Sequence, residues 1–289
     1  MTWFASPDDA AVRLGEAGYL ADDATATSAF LSGELGKPLL VEGPAGVGKT
    51  ELAKVVARAH GAELVRLQCY EGLDEARALY EWNYKKQLLR IQAGAEDEGW
   101  AATQDDIFSE EFLLTRPLLT AIRRTGPTVL LVDEVDKTDV EVEGLLLEVL
   151  SDFAVTVPEL GTITATRRPY VVLTSNASRD LSEAVRRRCL FLHLDHPTPE
   201  REREIVLSHV PDAEEGLVRR VVEVVGRLRS LELRKAPSIA ETVDWVRTLV
   251  ALQSGSLGDG ADAAMERTLG VVVKHGSDLE AAAKELARA

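Results

Sequence analysis

Cysteine is scarce in this 289-residue chain, and no apolar run reaches the length of a membrane span. The two cysteines, Cys69 and Cys189, lie in segments with a buried pattern and match no metal-ligand spacing. The opening stretch MTWFASPDDAAVRLGEAG has neither the basic start nor the apolar core of a signal peptide. We therefore expect a reduced, cytoplasmic protein without a membrane segment.

Basic side chains are also the minority, since 33 Lys and Arg face 48 Asp and Glu for a net charge of -15. The average field of such a chain repels polyanions, which disfavours nucleic acid as a partner; a locally basic groove is the alternative. No G-x-S-x-G segment occurs, which disfavours a serine nucleophile on a strained turn. The composition, 45% hydrophobic and 28% charged, is that of a folded globular protein.

Short β-rich apolar runs alternate with helical patterns in the first two thirds of the chain. Such alternation predicts an α/β fold with a mostly parallel sheet and flanking helices. The predicted strands are 37–42, 62–68, 127–134, 169–176 and 189–195, and the predicted helices are 51–59, 113–124, 140–150 and 182–188.

Beyond the prolines at 197 and 199, nearly every pattern is helical. The predicted helices there are 200–225, 239–252 and 263–273, with a glycine-rich loop at 254–260. We predict three parts: a leader or linker over 1–24, an α/β nucleotide-binding domain over 25–198, and a small all-helical lid domain over 199–289. The acidic, aperiodic stretch 92–106 is predicted to be a solvated loop or insert.

A glycine-rich loop follows the first predicted strand. Its sequence GPAGVGKT matches G-x-x-x-x-G-K-[ST], with a strand before it and a helix after it. Glycines let backbone N–H groups converge on a phosphate, and the helix dipole adds positive charge. A glycine turn with a surface lysine is the ordinary alternative. The predicted nucleotide contacts are Gly43, Pro44, Ala45, Gly46, Val47, Gly48, Lys49, Thr50 and Glu51.

Two adjacent acids end the third predicted strand, in the stretch VLLVDE. They reach the carboxyl edge of the sheet, where ligands of open α/β folds bind. We predict that Asp133 holds Mg²⁺ through water, that the Thr50 hydroxyl ligates the same ion, and that Glu134 polarises an attacking water. A helix N-cap is the alternative for this acidic pair.

In this order, GPAGVGKT, VLLVDEVDK and LTSN resemble the Walker A, Walker B and sensor 1 motifs of AAA+ ATPases. The resemblance implies a P-loop NTPase fold, ATP and Mg²⁺ as cofactors, and ATP hydrolysis as the activity. It also implies that Asn176 lies on the strand between the two Walker strands and orients the attacking water. Capping of the next helix is the alternative for Asn176.

The stretch LSEAVRRRCLFLHLDHP, residues 181–197, is similar to the family's helix that ends in an arginine finger. The resemblance implies that Arg188, or Arg187 in its place, acts on nucleotide bound to a neighbouring subunit. A homo-oligomer, expected as a hexameric ring, follows from that role. Arginines at a helix C-terminus are also favoured by the helix dipole alone.

Two insertions make the chain resemble the MoxR-like branch of the AAA+ ATPases. One lies between Leu73 and Glu111, and the other, residues 153–172, predicts a β-hairpin around Pro158 to Gly161. LQCYEGLD and LRKAPSIAETVDW are similar to ATPases of carbon-monoxide-dehydrogenase maturation. The resemblance implies a protein client or an adaptor with a von Willebrand A domain.

Members of that branch usually carry a sensor-2 arginine in an SPR context, which this chain lacks. Here Arg234 and Lys235 precede the sequence Ala-Pro-Ser, so either cation could serve, or neither. We take Lys235 as the candidate nucleotide contact.

Two other groups of residues give only weak evidence for a functional site. His193 and His196 flank an aspartate but lack a third ligand nearby, so we interpret them as ordinary strand-end residues. The aromatic stretch YEWNYKK, residues 80–86, could stack on single-stranded nucleic acid, but packing in the insert or against a protein is favoured.

The leading functional hypothesis is an ATP-driven factor that remodels or matures a partner protein, with metal-cofactor insertion as one such process. A nucleic-acid-directed AAA+ protein, such as a loader or restriction-type translocase, is the first alternative. The second is a nucleotide-gated binding module that hardly hydrolyses ATP.

Overall fold

The computed structural model describes residues 2–94, 107–252 and 260–287. The chain divides into two compact units. The first unit comprises Met1–Ala17, Ala21–Glu42 and Lys49–His193, and the second comprises Gly18–Leu20, Gly43–Gly48 and Leu194–Ala289. The main segment of the second unit thus begins close to the predicted boundary at residue 198.

The strands of the first unit are numbered in chain order. They are β1 (Leu39–Glu42), β2 (Glu63–Gln68), β3 (Tyr80–Trp82), β4 (Leu113–Thr115), β5 (Thr128–Asp133), β6 (Ala154–Val157), β7 (Gly161–Thr164), β8 (Tyr170–Ser175) and β9 (Leu190–His193). Five of them form a parallel sheet in the order β2-β5-β8-β1-β9. Every residue of β5 and β8 is buried, as expected for central strands covered on both faces. The predicted α/β fold with a parallel sheet is confirmed.

Helices of the first unit flank this sheet and share its apolar core, which includes Leu40, Leu130, Leu173, Leu118 and Leu146. The helices are Pro7–Glu16, Asp23–Leu35, Lys49–Ala59, Glu75–Ala78, Tyr84–Gly94, Pro117–Arg123, Val140–Asp152 and Glu183–Arg188. The predicted hairpin before β8 is present, because β6 and β7 pair antiparallel.

The second unit is helical and has its own core around the fully buried Trp245. Its helices are Pro199–His209, Glu215–Ser230, Ile239–Ala251, Gly260–Arg267 and Gly276–Leu286. The indole N–H of Trp245 donates to the Thr268 hydroxyl at 2.8 Å, which satisfies the polar edge of the buried ring.

The N-terminal segment differs from the leader or linker predicted over residues 1–24. Trp3 and Phe4 are buried, and both pack edge-to-face on the ring of His60. Ser6 then caps a helix, Pro7–Glu16, by accepting a hydrogen bond from Asp9 N–H. Aromatic burial therefore makes this segment part of the first unit.

Three predicted helices have different bounds. The helix predicted over 113–124 starts at Pro117, because proline suits the first turn and forces the preceding residue to be extended. Residues 113–115 form β4 instead and pair with β3. The predicted helix 200–225 is divided near Pro211, and the one predicted over 263–273 ends at Arg267 and continues as the 3₁₀ turn Leu269–Val271.

The two predicted loops fall largely outside the described residues. Residues 95–106 of the acidic stretch are not described, and residues 92–94 end the helix Tyr84–Gly94. Residues 254–259 of the glycine-rich stretch are likewise outside the described ranges, and its last residue begins the helix Gly260–Arg267.

Candidate nucleotide-binding site

The glycine-rich loop joins β1 to the helix Lys49–Ala59. Gly46 and Gly48 have φ angles of +79° and +100°, a backbone region that favours glycine. A Cβ on Gly46 would lie 2.1 Å from Cβ of Ser238, so this position also has no room for a side chain. The local geometry therefore explains the glycines and leaves a loop shaped to present backbone to an anion.

Lys49 and Asn176 meet although they are far apart in sequence. Lys49 is buried, and its Nζ donates to Oδ1 of Asn176 at 2.9 Å. Burial lowers the pKa of Lys49, while the carboxylates of Asp136, Asp133 and Glu134 oppose that shift. Because β8 lies between β5 and β1, Asn176 follows the strand between the two Walker strands, where the family resemblance places it.

Asp133 ends β5 and is almost completely buried. Its Oδ1 accepts hydrogen bonds from the Thr50 hydroxyl at 2.9 Å and from the Thr174 hydroxyl at 2.6 Å. Its Oδ2 accepts from Arg66, with Nη2 at 2.5 Å and Nε at 3.1 Å. Hydroxyl and carboxylate oxygens are the hard ligands that Mg²⁺ prefers, so Thr50 and Asp133 fit this metal.

Glu134 sits in the left-handed region, with φ +58° and ψ +48°. That conformation costs a non-glycine residue on the order of 1–3 kcal/mol and is typical of constrained functional sites. Its N–H donates to the Thr174 hydroxyl at 2.9 Å. Its carboxylate accepts from Gln68 at 3.0 Å, Lys137 at 2.7 Å and Asn176 at 3.4 Å.

The helix-cap alternatives for Glu134 and Asn176 do not match the structure. Glu134 precedes the 3₁₀ turn Val135–Lys137 but makes no side-chain cap hydrogen bond there. The helix that follows Asn176, Glu183–Arg188, is capped by Ser182. Both polar side chains instead face each other beside Lys49.

Asp136 is a buried carboxylate that the sequence analysis missed. It accepts hydrogen bonds from Asn176 N–H at 3.2 Å, Ser178 N–H at 3.0 Å and the Ser178 hydroxyl at 2.5 Å. Burial alone would raise the pKa of Asp136, but these hydrogen bonds hold it below the ordinary value. Asp136 therefore fixes the loop that carries Asn176. An acid two residues after VLLVDE is a signal that could have pointed to it.

The three consecutive arginines have different surroundings. Arg186 forms an ion pair with Glu42 at 3.0 Å and is mostly covered. Arg187 is 80% exposed beside Glu183, and Arg188 is exposed with its Nε 2.5 Å from the Ser151 hydroxyl. Arg186 is thus set apart by its partly buried ion pair, and both predicted finger positions lie at the surface.

The remaining predicted nucleotide contacts make local interactions. Glu51 forms ion pairs with Lys54 at 3.4 Å and Arg58 at 2.8 Å. Lys235 Nζ lies 3.0 Å from Oε1 of Glu241, whose other oxygen belongs to a capping box with Ser238. A nucleotide contact of Glu51 or Lys235 stays a prediction.

Within the described ranges, no helix combines the length and apolar character of a membrane span. In the same ranges, no group of three or more His, Cys, Asp or Glu side chains is arranged to hold a metal ion. The Thr50 and Asp133 pair is a different kind of site, because a hydroxyl contributes to it and phosphate oxygens complete such sites.

Comparison with known proteins gives several relatives. The denitrification regulatory protein NirQ of Pseudomonas aeruginosa is 26% identical over 234 residues, which cover 78% of each chain. Protein CbbQ of Hydrogenophilus thermoluteolus is 25% identical over 202 residues, 68% of this chain and 66% of CbbQ. The chaperone protein ClpB 2 of Parasynechococcus marenigrum is 35% identical over 139 residues, 46% of this chain but only 13% of ClpB 2.

Among solved structures, a variant of RuvB from Thermotoga maritima aligns with a TM-score of 0.52 at 19% identity, covering 91% of this chain and 72% of RuvB. This likeness shows the P-loop AAA+ fold. A family model described as the AAA domain (dynein-related subfamily) matches residues 38–189. That segment is more than half of the chain and holds the loop, the strand-end acids and Asn176, so the chain belongs to this family of AAA+ P-loop ATPases.

Proposed function

We propose that this chain is a Mg²⁺-dependent ATPase of the MoxR-like branch that remodels or matures a partner protein. The observation that carries the proposal is the meeting of Lys49 with Asn176, and of Thr50 with Asp133, around Glu134. A glycine loop serving only as a turn would not need these buried polar side chains at its end.

Each side chain of this site has a separate role in the proposed ATP hydrolysis. Lys49 places positive charge beside the phosphates, and Thr50 with Asp133 holds Mg²⁺, which when bound supplies further positive charge to the phosphate oxygens. Glu134 accepts the proton of the attacking water, and Asn176, 3.4 Å from its Oε1, orients that water. Asp133, Glu134 and Asn176 lie at the ends of β5 and β8, and their hydrogen bonds join them to Lys49 and Thr50 at the start of the helix Lys49–Ala59.

We also propose that the active form is a homo-oligomeric ring, expected as a hexamer. Arg188 or Arg187 would complete the site of a neighbouring subunit, where a guanidinium neutralises charge that develops on the γ-phosphate. Their exposure supports this role, because a residue that acts on another subunit has to lie at the surface.

A protein is the partner that we favour. The relatives NirQ and ClpB 2 are named as a regulatory protein and a chaperone, which supports action on other proteins. The resemblance to carbon-monoxide-dehydrogenase maturation ATPases adds metal-cofactor insertion as a candidate process, with a von Willebrand A-domain protein as adaptor. Since this chain spans only part of ClpB 2 and CbbQ, their full activities do not transfer.

A nucleic-acid-directed AAA+ protein is less well supported. The net charge of -15 opposes binding to polyanions. Trp82 is buried and packs edge-to-face on Phe108 with ring centroids 5.3 Å apart, so it is not free to stack on a base. ATPase assays with single-stranded and duplex DNA test this alternative, and stimulation by DNA would favour it.

Lys49→Ala is expected to weaken binding of Mg·ATP roughly ten- to a hundredfold, because a hydrogen bond to a charged group is worth about 1.5–3 kcal/mol. Isothermal titration calorimetry on the purified chain measures this. Lys54→Ala is the control, since Lys54 lies on the same helix and its ion pair among the described residues is with the partly exposed Glu51. If the parent chain gave no heat with Mg·ATP, or Lys49→Ala bound equally well, the proposed function would be wrong.

Asp136→Ala is expected to lower kcat about tenfold with little change in the KM for ATP. The loss of three hydrogen bonds frees the Asn176 loop, which acts on the attacking water and not on ground-state binding. Steady-state kinetics measure both constants. Asp139→Ala is the control, because Asp139 makes no side-chain cap hydrogen bond. A rise in KM at unchanged kcat would contradict a role through Asn176.

A further inference from the structure

Arg66 contacts the same carboxylate that is proposed to hold the metal. It projects from β2, an edge strand of the sheet, and its side chain is about half exposed, whereas that of Asp133 is only 4% exposed. Two guanidinium nitrogens converge on Oδ2 of Asp133, at 2.5 Å and 3.1 Å. The other oxygen, Oδ1, is taken by the Thr50 and Thr174 hydroxyls.

In this contact, Arg66 acts as the counter-ion of the Asp133 carboxylate. A carboxylate as buried as Asp133 is costly without a cation, and removing its partner leaves an uncompensated charge. Of the other cations near this carboxylate, Lys49 donates to the amide oxygen of Asn176, and Lys137 forms an ion pair with Glu134 at 2.7 Å. Arg66 is therefore the side chain that neutralises Asp133 through direct contact in the structure as described.

The position of Arg66 also allows its guanidinium to move away from Asp133. β2 and β5 pair in parallel with Gln68 opposite Asp133, so Arg66 lies two residues earlier on the same face of β2 and reaches forward along the strand. Its half-exposed guanidinium can move into water while its aliphatic stem stays in place. Arg66 also donates to the side chain of Gln68, which in turn donates to Glu134.

We propose that Arg66 is a placeholder for Mg²⁺: it neutralises Asp133 in the absence of metal and is displaced from Oδ2 when Mg·ATP binds. Two cations close to one carboxylate oxygen repel each other, so metal binding and the Arg66 contact compete. This inference rests on the proposed function, because it takes Asp133 as a holder of Mg²⁺.

The test measures how much Mg²⁺ is needed for half-maximal binding of a fluorescent ATP analogue. Arg66→Gln is expected to lower that Mg²⁺ concentration about tenfold, since the competing charge-assisted hydrogen bonds are lost. Arg66→Lys, which keeps the charge without the fork geometry, should fall between the two. Arg124→Gln removes the same charge near Glu63, at the far end of β2, and should leave the Mg²⁺ requirement unchanged.

A second readout uses the thermal unfolding temperature, which reports on the protein without turnover. Without metal, Arg66→Gln should unfold at a lower temperature than the parent, and saturating Mg·ATP should remove most of that difference. If Arg66→Gln does not fold, Arg66→Lys is measured in both assays. An unchanged or increased Mg²⁺ requirement in the Arg66 variants would overturn the placeholder role. Absence of Mg·ATP binding by the parent chain would instead overturn the proposed function itself.

Discussion

Glu134→Gln is expected to lower ATP turnover by roughly 10²- to 10⁴-fold while Mg·ATP still binds, because general-base catalysis contributes about that much. The amide keeps the length of the side chain and can still accept hydrogen bonds from Lys137 and Asn176, but it cannot take a proton from water. Phosphate-release kinetics measure the turnover, and calorimetry measures binding. The largest loss should therefore appear in kcat.

The control for this variant is Glu280→Gln, which makes the same chemical change in an exposed pair with Lys284. Turnover in the control should match the parent. Equal turnover in Glu134→Gln would instead favour a nucleotide-gated binding module that hardly hydrolyses ATP. The same variant also serves to identify the partner, because an ATP-bound form that does not turn over should retain its client during purification.

The central sheet and the nucleotide loop could be predicted because their signals are local. Apolar runs delimit β5 and β8, and the glycine spacing specifies a loop before the helix at Lys49. The order of Walker A, Walker B and sensor 1 along the chain then predicted which strand ends meet. The confirmed fold follows from patterns within windows of a few residues.

The parts that were missed depend on contacts distant in sequence. Arg66 and Thr174 contact Asp133 because β2 and β8 lie on either side of β5. No local sequence pattern predicts that they are neighbours of Asp133. Trp3 and Phe4 lie in the segment predicted to be a leader or linker, and their burial depends on His60, which is distant in sequence. A three-residue strand such as β4 is equally hard to predict from sequence, because it forms through pairing with β3 and not through local strand propensity.

The second unit depends on a buried ion pair that links three of its helices. Arg229 forms a bidentate ion pair with Glu202, with Nη1 2.5 Å from Oε2 and Nη2 2.8 Å from Oε1. The Thr242 hydroxyl donates to the same carboxylate at 2.7 Å, and Arg229 Nε donates to the carbonyl of Pro237 at 2.8 Å. Both charged side chains are nearly covered, at 12% and 2% exposure. The pair thus holds the chain just before the helix Ile239–Ala251.

Arg229→Ala is therefore expected to reduce the free energy of unfolding of the second unit by about 3–5 kcal/mol, because it leaves Glu202 buried without a partner. Hydrogen exchange of amides in the helix Glu215–Ser230 measures the effect within this unit. Arg247→Ala is the control, since its exposed pair with Asp244 should contribute less than about 1 kcal/mol. Combining Arg229→Met with Glu202→Leu should recover most of the loss, as apolar side chains of similar volume remove the unpaired charge. A loss below about 1 kcal/mol in Arg229→Ala would mean that water reaches Glu202 and that the pair behaves like a surface one.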